Sequence, residues 1–261
     1  MGKIFQISIW ALALLGLAGC DDPALMTATP ATQTVVASTV SAEHYNAVPD
    51  NGFTVPAVPV AEVPAEMQQQ LVAYQTDQPV GTIIIDPSTK HLYLITDRNR
   101  ALRYGIAVGR TGFGWSGEAD IVGRTTWPKW IPPHEMIARR PELEKFRDVG
   151  QPGGVTNPLG ARALYLKTNG VDYGYRIHGT PEWDSIGHNA SSGCIRMINQ
   201  DVMDLYNRVP DGTHVVVLTE DGQFPSKLSV PPPAPKARKP KPAVVPVTEP
   251  VVPVVTGAGR V

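Results

Sequence analysis

Short apolar runs separated by turn-forming residues recur along the middle of the chain. The runs at residues 82–86, 91–95 and 102–108 are rich in Ile, Leu, Val and Tyr, and most of these residue types favour strands. Residues 87–90 and 96–100 lie between the runs and are polar or turn-forming. Three short strands joined by tight turns predict an antiparallel meander.

Later runs at residues 163–167, 173–177 and 214–218 have the same strand-like composition. Residues 110–160, in contrast, are rich in Gly, Pro and Trp and contain few strand signals. We expect them to form a long excursion over one face of the sheet, of the kind that usually carries function. The pattern as a whole predicts a mostly β domain.

Helical patterns are confined to two places. Pro64 begins a predicted short helix over residues 64–74, because proline favours the first helical turn. A second helix is predicted to follow Asn199, which is a good N-cap, and to end at Pro210. Its apolar positions recur at helical spacing, at Val202, Leu205, Tyr206 and Val209.

Proline is unevenly distributed, since most of its 26 occurrences in 261 residues fall within 23–64 and 225–253. The segment between these two regions has ordinary globular composition and a common domain size. We therefore predict one folded domain at 65–221, a disordered tether at 20–64 and a disordered, partly basic tail at 222–261. The net charge of -1 gives no reason to expect a nucleic-acid partner.

Residues 1–19 have the pattern of a secretory signal peptide, with an apolar run at 7–18 that is too short to span a bilayer comfortably. The run ends in Leu-Ala-Gly-Cys20, which resembles the bacterial lipobox. That resemblance implies cleavage before Cys20 and a membrane anchor on its sulfur; the alternative is an ordinary signal peptide with a chance cysteine. Asp21 and Asp22 resemble a signal for retention at the inner membrane.

Cys194 is the single cysteine of the predicted domain. A free thiol has a pKa near ~8.5, so it needs a base or a cationic partner to act as a nucleophile. His178, at the end of a predicted strand, is the best candidate for that base. The N–H groups of Gly193 and Cys194 are expected to bind an oxyanion. The residues alone leave a second interpretation open, in which the thiol is a small buried group and the histidine has a structural role.

A zinc site is the other chemistry that these residue types allow, with His178, His188 and Cys194 as ligands. Their spacing fits no usual zinc pattern, and the segment has no second cysteine. We therefore expect neither a metal nor another cofactor.

Two motifs carry a family resemblance. His178-Gly-Thr180 and the block from Ser191 to Met197, Ser-Ser-Gly-Cys-Ile-Arg-Met, resemble the L,D-transpeptidase catalytic domain, also called the YkuD domain, in its Gram-negative ErfK/YbiS-like branch. The likeness extends over nearly all of 65–221. It implies a YkuD-like β-sandwich or mixed sheet with a short helix after the catalytic cysteine.

The resemblance also implies the roles of individual residues. Cys194 matches the family's nucleophile and His178 its general base. The expected substrate contacts are Arg196, Gly179 and Thr180.

One position departs from the family pattern. The usual block is Ser-His-Gly-Cys, and Ser192 stands where the family has the histidine. The assistance of that second histidine is therefore in doubt, and His188 is a nearby ring that is considered as a substitute. Ser191 or a main-chain carbonyl is expected to orient His178.

The implied reaction acts on peptidoglycan tetrapeptide stems at the periplasm-facing side of the cell envelope. Its product would be a 3→3 crosslink formed through a thioester. Two other hypotheses about the function remain open. In one, the same acyl-enzyme is used to attach an envelope protein to the wall, or to trim or hydrolyse stem peptides. In the other, the chain is a wall-binding module without catalysis.

Overall fold

The structure is a computed structural model that describes residues 38–39, 41–110 and 114–230. The predicted signal peptide, Cys20, Asp21, Asp22 and the basic part of the tail lie outside these residues. The strands are β1 (Ser38–Thr39), β2 (Val48–Asp50), β3 (Phe53–Val55), β4 (Gln70–Ala73), β5 (Ile83–Asp86), β6 (His91–Asp97), β7 (Arg100–Gly109), β8 (Gly117–Thr126), β9 (Arg162–Lys167), β10 (Arg176–Thr180), β11 (Asn189–Ser191), β12 (Ile195–Ile198) and β13 (His214–Val217).

Two α-helices, α1 (His134–Arg139) and α2 (Asn199–Arg208), complete the described fold together with short 3-10 turns. The turns are Ala42–Tyr45, Val60–Glu62, Ala65–Met67, Pro141–Phe146 and Trp183–Ser185. Among the described residues, no helix combines the length and the apolar character needed to cross a bilayer.

The mixed, mostly β architecture predicted from the sequence is confirmed. β5, β6 and β7 form the expected antiparallel meander. The pairing order β7-β12-β10-β9-β8-β13-β5-β6 returns to β7, because β6 also pairs with β7. The pairing is antiparallel except at β10–β12, β13–β5 and β11–β7, which are parallel. A sheet whose pairing closes in this way leaves few free strand edges.

Around β5 the closed sheet is apolar on both faces, which explains why this strand is a continuous apolar run. Ile83 and Ile85 of β5 belong to the main core, whereas Ile84 between them packs in a second cluster with Val72 and Tyr93. Period-2 alternation of side chains sends neighbouring residues to opposite faces. The helix α2 packs on the main core through residues at helical spacing, Val202 and Leu205.

The prediction of a long excursion at 110–160 is wrong for its first part, because β8 is a ten-residue strand. Its first residues alternate buried and exposed, and β8 pairs with β9 and β13. The outward positions carry Glu118 and Asp120, residue types that are rare in strands, so the composition hid the alternation. From Trp127 to Gly160 the chain does run without strands, through α1 and a 3-10 turn.

The helix expected at 64–74 is also wrong beyond its first turn. A 3-10 turn at Ala65–Met67 is followed by β4, which pairs with β7. Val72 is fully buried in that strand. Packing of β4 on β7 therefore overrides the local helical preference of this segment.

The disordered tether expected at 20–64 is wrong for residues 41–64, which we call the N-terminal strap. Tyr45, Val55 and Val63 of the strap are at most 5% exposed. Asp50 forms a buried ion pair with Arg162, with Nη1 and Oδ2 2.6 Å apart. The strap thus adds its own buried apolar and charged contacts to the domain.

The disordered tail expected at 222–261 is wrong for its first residues as well. Ser229 and Ser116 exchange two backbone hydrogen bonds of 2.9 and 2.8 Å. Leu228 and Val230 pack against the main core. The described chain from 222 to 230 therefore lies against the sheet.

Candidate active site

Two parallel strands bring Cys194 and His178 together. In the pairing of β10 with β12, His178 lies opposite Arg196 and Ile177 opposite Ile195. Cys194 directly precedes β12, so the same register carried back by one residue places it beside Arg176. With strands about 4.8 Å apart and a rise of about 3.3 Å per residue, the Cα atoms of Cys194 and His178 are separated by about 8 Å.

The imidazole of His178 is buried and its orientation is set by the main chain. Its Nδ1 lies 2.6 Å from the carbonyl oxygen of Gly179. A carbonyl only accepts, so Nδ1 carries the proton and the lone pair is on Nε2. Burial lowers the pKa of His178 to about 4; the hydrogen bond to Gly179 opposes this shift, and the positive charge of Arg196 adds to it. At neutral pH the ring is neutral, as a general base must be.

Cys194 lies on a turn that Ser191 holds. Ser191 Oγ donates to the carbonyl oxygen of Cys194 at 2.6 Å and accepts from the N–H of Gly193 at 3.1 Å. Gly193 has φ +118°, a conformation that favours glycine. Of the two groups expected to orient His178, Ser191 or a main-chain carbonyl, the carbonyl of Gly179 makes the contact, and Ser191 shapes the turn of the cysteine.

Cys194 is a free cysteine and a partly exposed residue. Its Sγ contacts the carbonyl oxygen of Gly174 at 3.7 Å. Burial raises the pKa of this thiol, whereas the N–H of Arg176 and the charges of Arg176 and Arg196 oppose the rise. The resting pair is therefore a protonated thiol and a neutral imidazole.

No hydrogen bond between Sγ and the imidazole is present among the described residues, where Cys194 bonds to Gly174 and His178 to Gly179. Catalytic hydrogen bonds are often long in the absence of substrate and tighten when it binds. The two groups are thus placed on adjoining strands without a formed ion pair.

The oxyanion role expected for Gly193 meets a competing contact, because its N–H already donates to Ser191 Oγ. An oxyanion would have to replace that hydroxyl oxygen. No residue pattern predicts this contact, since it depends on the turn conformation.

Gly179 and Thr180, the expected substrate contacts, are buried within the fold. A Cβ atom on Gly179 would lie 2.2 Å from Oδ1 of Asn199, and Asn199 donates from Nδ2 to the carbonyl oxygen of Thr180 at 3.0 Å. Both residues therefore serve the packing of α2 against β10, and their contact with substrate stays a prediction.

Asn199 itself does not cap α2. It is the first residue of the helix, which follows Ile198 as the N-cap. Its Oδ1 accepts from the N–H of Ala161 at 2.9 Å. The side chain therefore joins three segments of the fold, where the sequence predicted a local helix cap.

Arg196 is occupied in the described structure, because its Nη1 lies 2.9 Å from Glu182 Oε2. Both side chains are partly exposed, so a substrate carboxylate has to compete with Glu182 for this guanidinium. Arg196 also faces His178 across the strand pair, where its charge favours the neutral ring.

Ser192 and His188, the two positions in doubt, are both exposed. The backbone carbonyl of His188 accepts from the N–H of Val108 at 3.2 Å. Within residues 41–110 and 114–230, no group of three or more His, Cys, Asp or Glu side chains is arranged to hold a metal ion.

The turn before β10 is a part of the site that the sequence reasoning missed. Asp172 accepts from both terminal nitrogens of Arg176 at 2.8 Å and from the N–H of Gly174 at 2.8 Å. The hydrogen bond with Arg176 lowers the pKa of Asp172. The same turn places the Gly174 carbonyl at the thiol of Cys194. An Asp followed two residues later by Gly is a turn signal that points to this arrangement.

Tyr175 is a second group that the sequence reasoning missed. Its ring stacks on Trp115 with centroids 4.7 Å apart. Burial and then the nearby Cys194 raise the pKa of Tyr175 to about 12. A neutral aromatic pair therefore borders the thiol.

A closed mixed sheet that sets a free thiol and a neutral imidazole on adjoining strands has the composition of a nucleophilic-catalysis site. The family model described as the YkuD, L,D-transpeptidase catalytic domain matches residues 81–217, just over half of the chain. The chain belongs to this family. The matched range contains both Cys194 and His178.

Curated relatives carry the same family name. The putative L,D-transpeptidase YqjB of Bacillus subtilis is 29% identical over 143 residues, which cover 54% of this chain and 73% of that protein. A putative L,D-transpeptidase of Fuscovulum blasticum is 35% identical over 102 residues, covering 39% and 49%. The probable L,D-transpeptidase YbiS of Escherichia coli is 29% identical over 162 residues, covering 58% and 48%. The chain thus spans about half the length of the last two relatives.

Solved structures that are similar to the chain superpose on it with low TM-scores. A Brucella melitensis protein described as a probable carnitine operon oxidoreductase is 47% identical, covers 61% of this chain and 99% of its own, and has a TM-score of 0.42. An L,D-transpeptidase from Mycobacterium smegmatis is 18% identical, covers 53% and 58%, and has a TM-score of 0.40. With TM-scores below 0.5, neither superposition supports an inference about function.

Proposed function

We propose that this chain is a cysteine-dependent L,D-transpeptidase that forms 3→3 crosslinks between peptidoglycan stems. Membership of the YkuD family supports the reaction class. The observation that carries the proposal is the placement of a neutral imidazole, with its free Nε2, on the strand next to the thiol-bearing turn.

In the first half-reaction, His178 Nε2 takes the proton of the Cys194 thiol as the sulfur attacks the carbonyl of the third residue of a tetrapeptide stem. A C–S bond forms, and the bond to the terminal D-Ala breaks. The imidazolium returns its proton to the leaving D-Ala amine. The product is a thioester on Cys194 with a neutral ring.

In the second half-reaction, the side-chain amine of a diaminopimelate in a neighbouring stem attacks the thioester. His178 accepts a proton from this amine, and the sulfur leaves and is reprotonated. The new amide joins two third residues, which is the 3→3 crosslink. No cofactor takes part in this scheme.

The tetrahedral intermediates carry an oxyanion that needs N–H donors. The N–H groups of Gly193 and Cys194 lie on the thiol-bearing turn, next to the reacting carbon. Gly193 serves by exchanging the Ser191 hydroxyl for the oxyanion. Arg196, released from Glu182, takes a carboxylate of the donor peptide.

The proposed setting is the periplasm-facing cell envelope, with a lipid anchor on Cys20 and a slight preference for the inner membrane. The signal-like residues 1–19 and the Leu-Ala-Gly-Cys20 motif support this part of the proposal. The acceptor is a stem amine in our proposal; an envelope protein amine or water would use the same thioester.

The test is intact-mass spectrometry of the purified chain incubated with a disaccharide–tetrapeptide donor. We expect a mass increase on the wild type that equals the donor without its D-Ala, and no increase on Cys194→Ala. Added tripeptide acceptor should convert the adduct into a 3→3 dimer. A free tripeptide product points to hydrolysis. The absence of an adduct on the wild type would contradict the proposal that the chain is an enzyme.

The cellular counterpart is muropeptide analysis of a deletion strain complemented with the wild type or with Cys194→Ala. Loss of 3→3 dimers that only the wild type restores supports crosslinking. Lost attachment of an envelope protein or altered peptide trimming supports another acceptor. Full rescue by Cys194→Ala supports a wall-binding module without catalysis.

A further inference from the structure

A cavity of about 520 Å³ borders the turn that carries Cys194. Its lining includes Gly193 and Ile195, the residues on either side of the cysteine, and Trp115. Ligand sites in proteins commonly have volumes of about 300–1,000 Å³. A molecule in this cavity would therefore lie directly against the thiol-bearing turn.

One wall of the cavity comes from beyond the family-matched residues 81–217. Pro225, Ser226, Lys227 and Ser229 all line it. This wall is fixed by the paired backbone hydrogen bonds of Ser229 with Ser116 and by the packing of Leu228 on the main core. A segment outside the matched domain thus takes a defined place next to the site.

The cavity favours a negatively charged ligand. Among the described lining residues, Lys90 and Lys227 are cationic and Glu220 is the acidic one. Lys90 Nζ donates to the carbonyl oxygen of Pro87 at 2.5 Å, so its ammonium group has a defined position. Lys227 is exposed, which leaves its ammonium group accessible to a ligand.

Trp115 forms an ordered aromatic wall of the cavity. It is only 5% exposed and stacks on Tyr175 with ring centroids 4.7 Å apart.

We infer that this cavity is a subsite for a carboxylate-bearing peptide donor and that Lys227, from the segment after the family domain, selects the carboxylate. The inference rests on the proposed function for the identity of the peptide. Lys227 is a specificity-determining residue here, since it acts on binding and takes no part in the chemical step.

The test compares two forms of one tetrapeptide donor, with its side-chain carboxylates either free or amidated. Binding is measured by calorimetry on Cys194→Ala, so that it does not depend on turnover. We expect the free form to bind up to about fivefold more tightly, the upper end for an exposed charge pair. Lys227→Met should remove this preference, Lys227→Arg should keep it, and the exposed Lys145→Met should leave it unchanged.

Equal binding of the two peptides, or a preference that survives Lys227→Met, overturns the inference. Turnover of the free-carboxylate donor by the wild type is measured in parallel. Turnover without a carboxylate preference refutes the subsite alone, whereas a Lys227-dependent preference without any acylation of Cys194 refutes the proposed reaction and leaves the subsite in place.

Discussion

The two halves of the candidate site are held in different ways. His178 lies within a strand, is buried, and has its ring oriented by the main-chain carbonyl of Gly179. Cys194 lies on a turn before a strand, is partly exposed, and depends on the side chain of Ser191 for its backbone conformation. The base is thus fixed by the sheet and the nucleophile by a hydroxyl group.

Because of this difference, point mutations should be able to change the geometry at Cys194 but not the orientation of His178. The carbonyl that orients His178 is present whatever side chain occupies its position, and strand pairing keeps it in place. The turn at Cys194 is held in the described structure by the side chain of Ser191, which a point mutation can remove. We therefore expect large effects from changes to the ring itself and graded effects from changes around the thiol.

Removal of the imidazole should give the largest effect in this comparison. His178→Gln and His178→Asn eliminate the general base, and loss of such a group typically costs about 10²–10⁴-fold in rate. The measurement is the rate of thioester formation on Cys194 at pH 7, followed by intact-mass spectrometry. The thermal unfolding midpoint at pH 8 serves as the control for folding. A fall of less than about tenfold would assign proton transfer to another group.

The buried ring should also make stability depend on pH. The pKa of His178 is about 4 in the folded chain and about 6.5 in an unfolded one, so the unfolded chain binds more protons between these values. The free energy of unfolding therefore falls as pH is lowered from 6.5 to 4, by up to about 3 kcal/mol from this residue.

Denaturant unfolding at pH 8, 6, 5 and 4 measures this dependence. We expect His178→Asn to flatten the curve between pH 6.5 and 4, whereas the exposed His188→Asn should leave it unchanged. Equal curves for the wild type and His178→Asn would show that the ring is not held neutral by burial.

The same contrast shows how far the sequence predicts this fold. The meander β5–β7 was predictable because each strand is a continuous apolar run bounded by turn residues. β8 was not, since its outward face carries acidic residues and its buried positions include glycine and alanine. The N-terminal strap was not either, because its burial depends on partners more than a hundred residues away, as in the pair of Asp50 with Arg162.

The candidate site divides in a similar way. Residue type singled out Cys194 and His178 as candidates, since the domain has one thiol and one histidine at a strand end beside glycine, and the family resemblance of their motifs implied their roles. Their neighbourhood was not, because the parallel register of β10 and β12 and the turn at Gly174 are tertiary features. Backbone groups such as the Gly179 carbonyl have no side-chain signature in any sequence.

Loss of the Ser191 hydroxyl should disturb the turn that carries Cys194 and leave the orientation of His178 unchanged. Ser191→Ala removes two hydrogen bonds from a buried turn, a change that costs about 1–3 kcal/mol. We expect thioester formation to slow by about tenfold, while Ser191→Thr keeps the hydroxyl and most of the rate. The pH dependence of stability assigned to His178 should stay as in the wild type. A faster reaction in Ser191→Ala would show that its hydroxyl blocks the Gly193 N–H.

Introduction of a ring at Ser192 should have the smallest effect. Ser192 is exposed on the thiol-bearing turn, and His178 already supplies a neutral base whose ring is fixed by Gly179. A second, solvated imidazole with a pKa near ~6.5 is the stronger base of the two, but ordering it next to the thiol costs side-chain entropy. We expect Ser192→His to change the rate of thioester formation by less than about threefold, as Ser192→Gln does. A gain above about tenfold that disappears below pH 6 would instead show that Cys194 needs a second base besides His178.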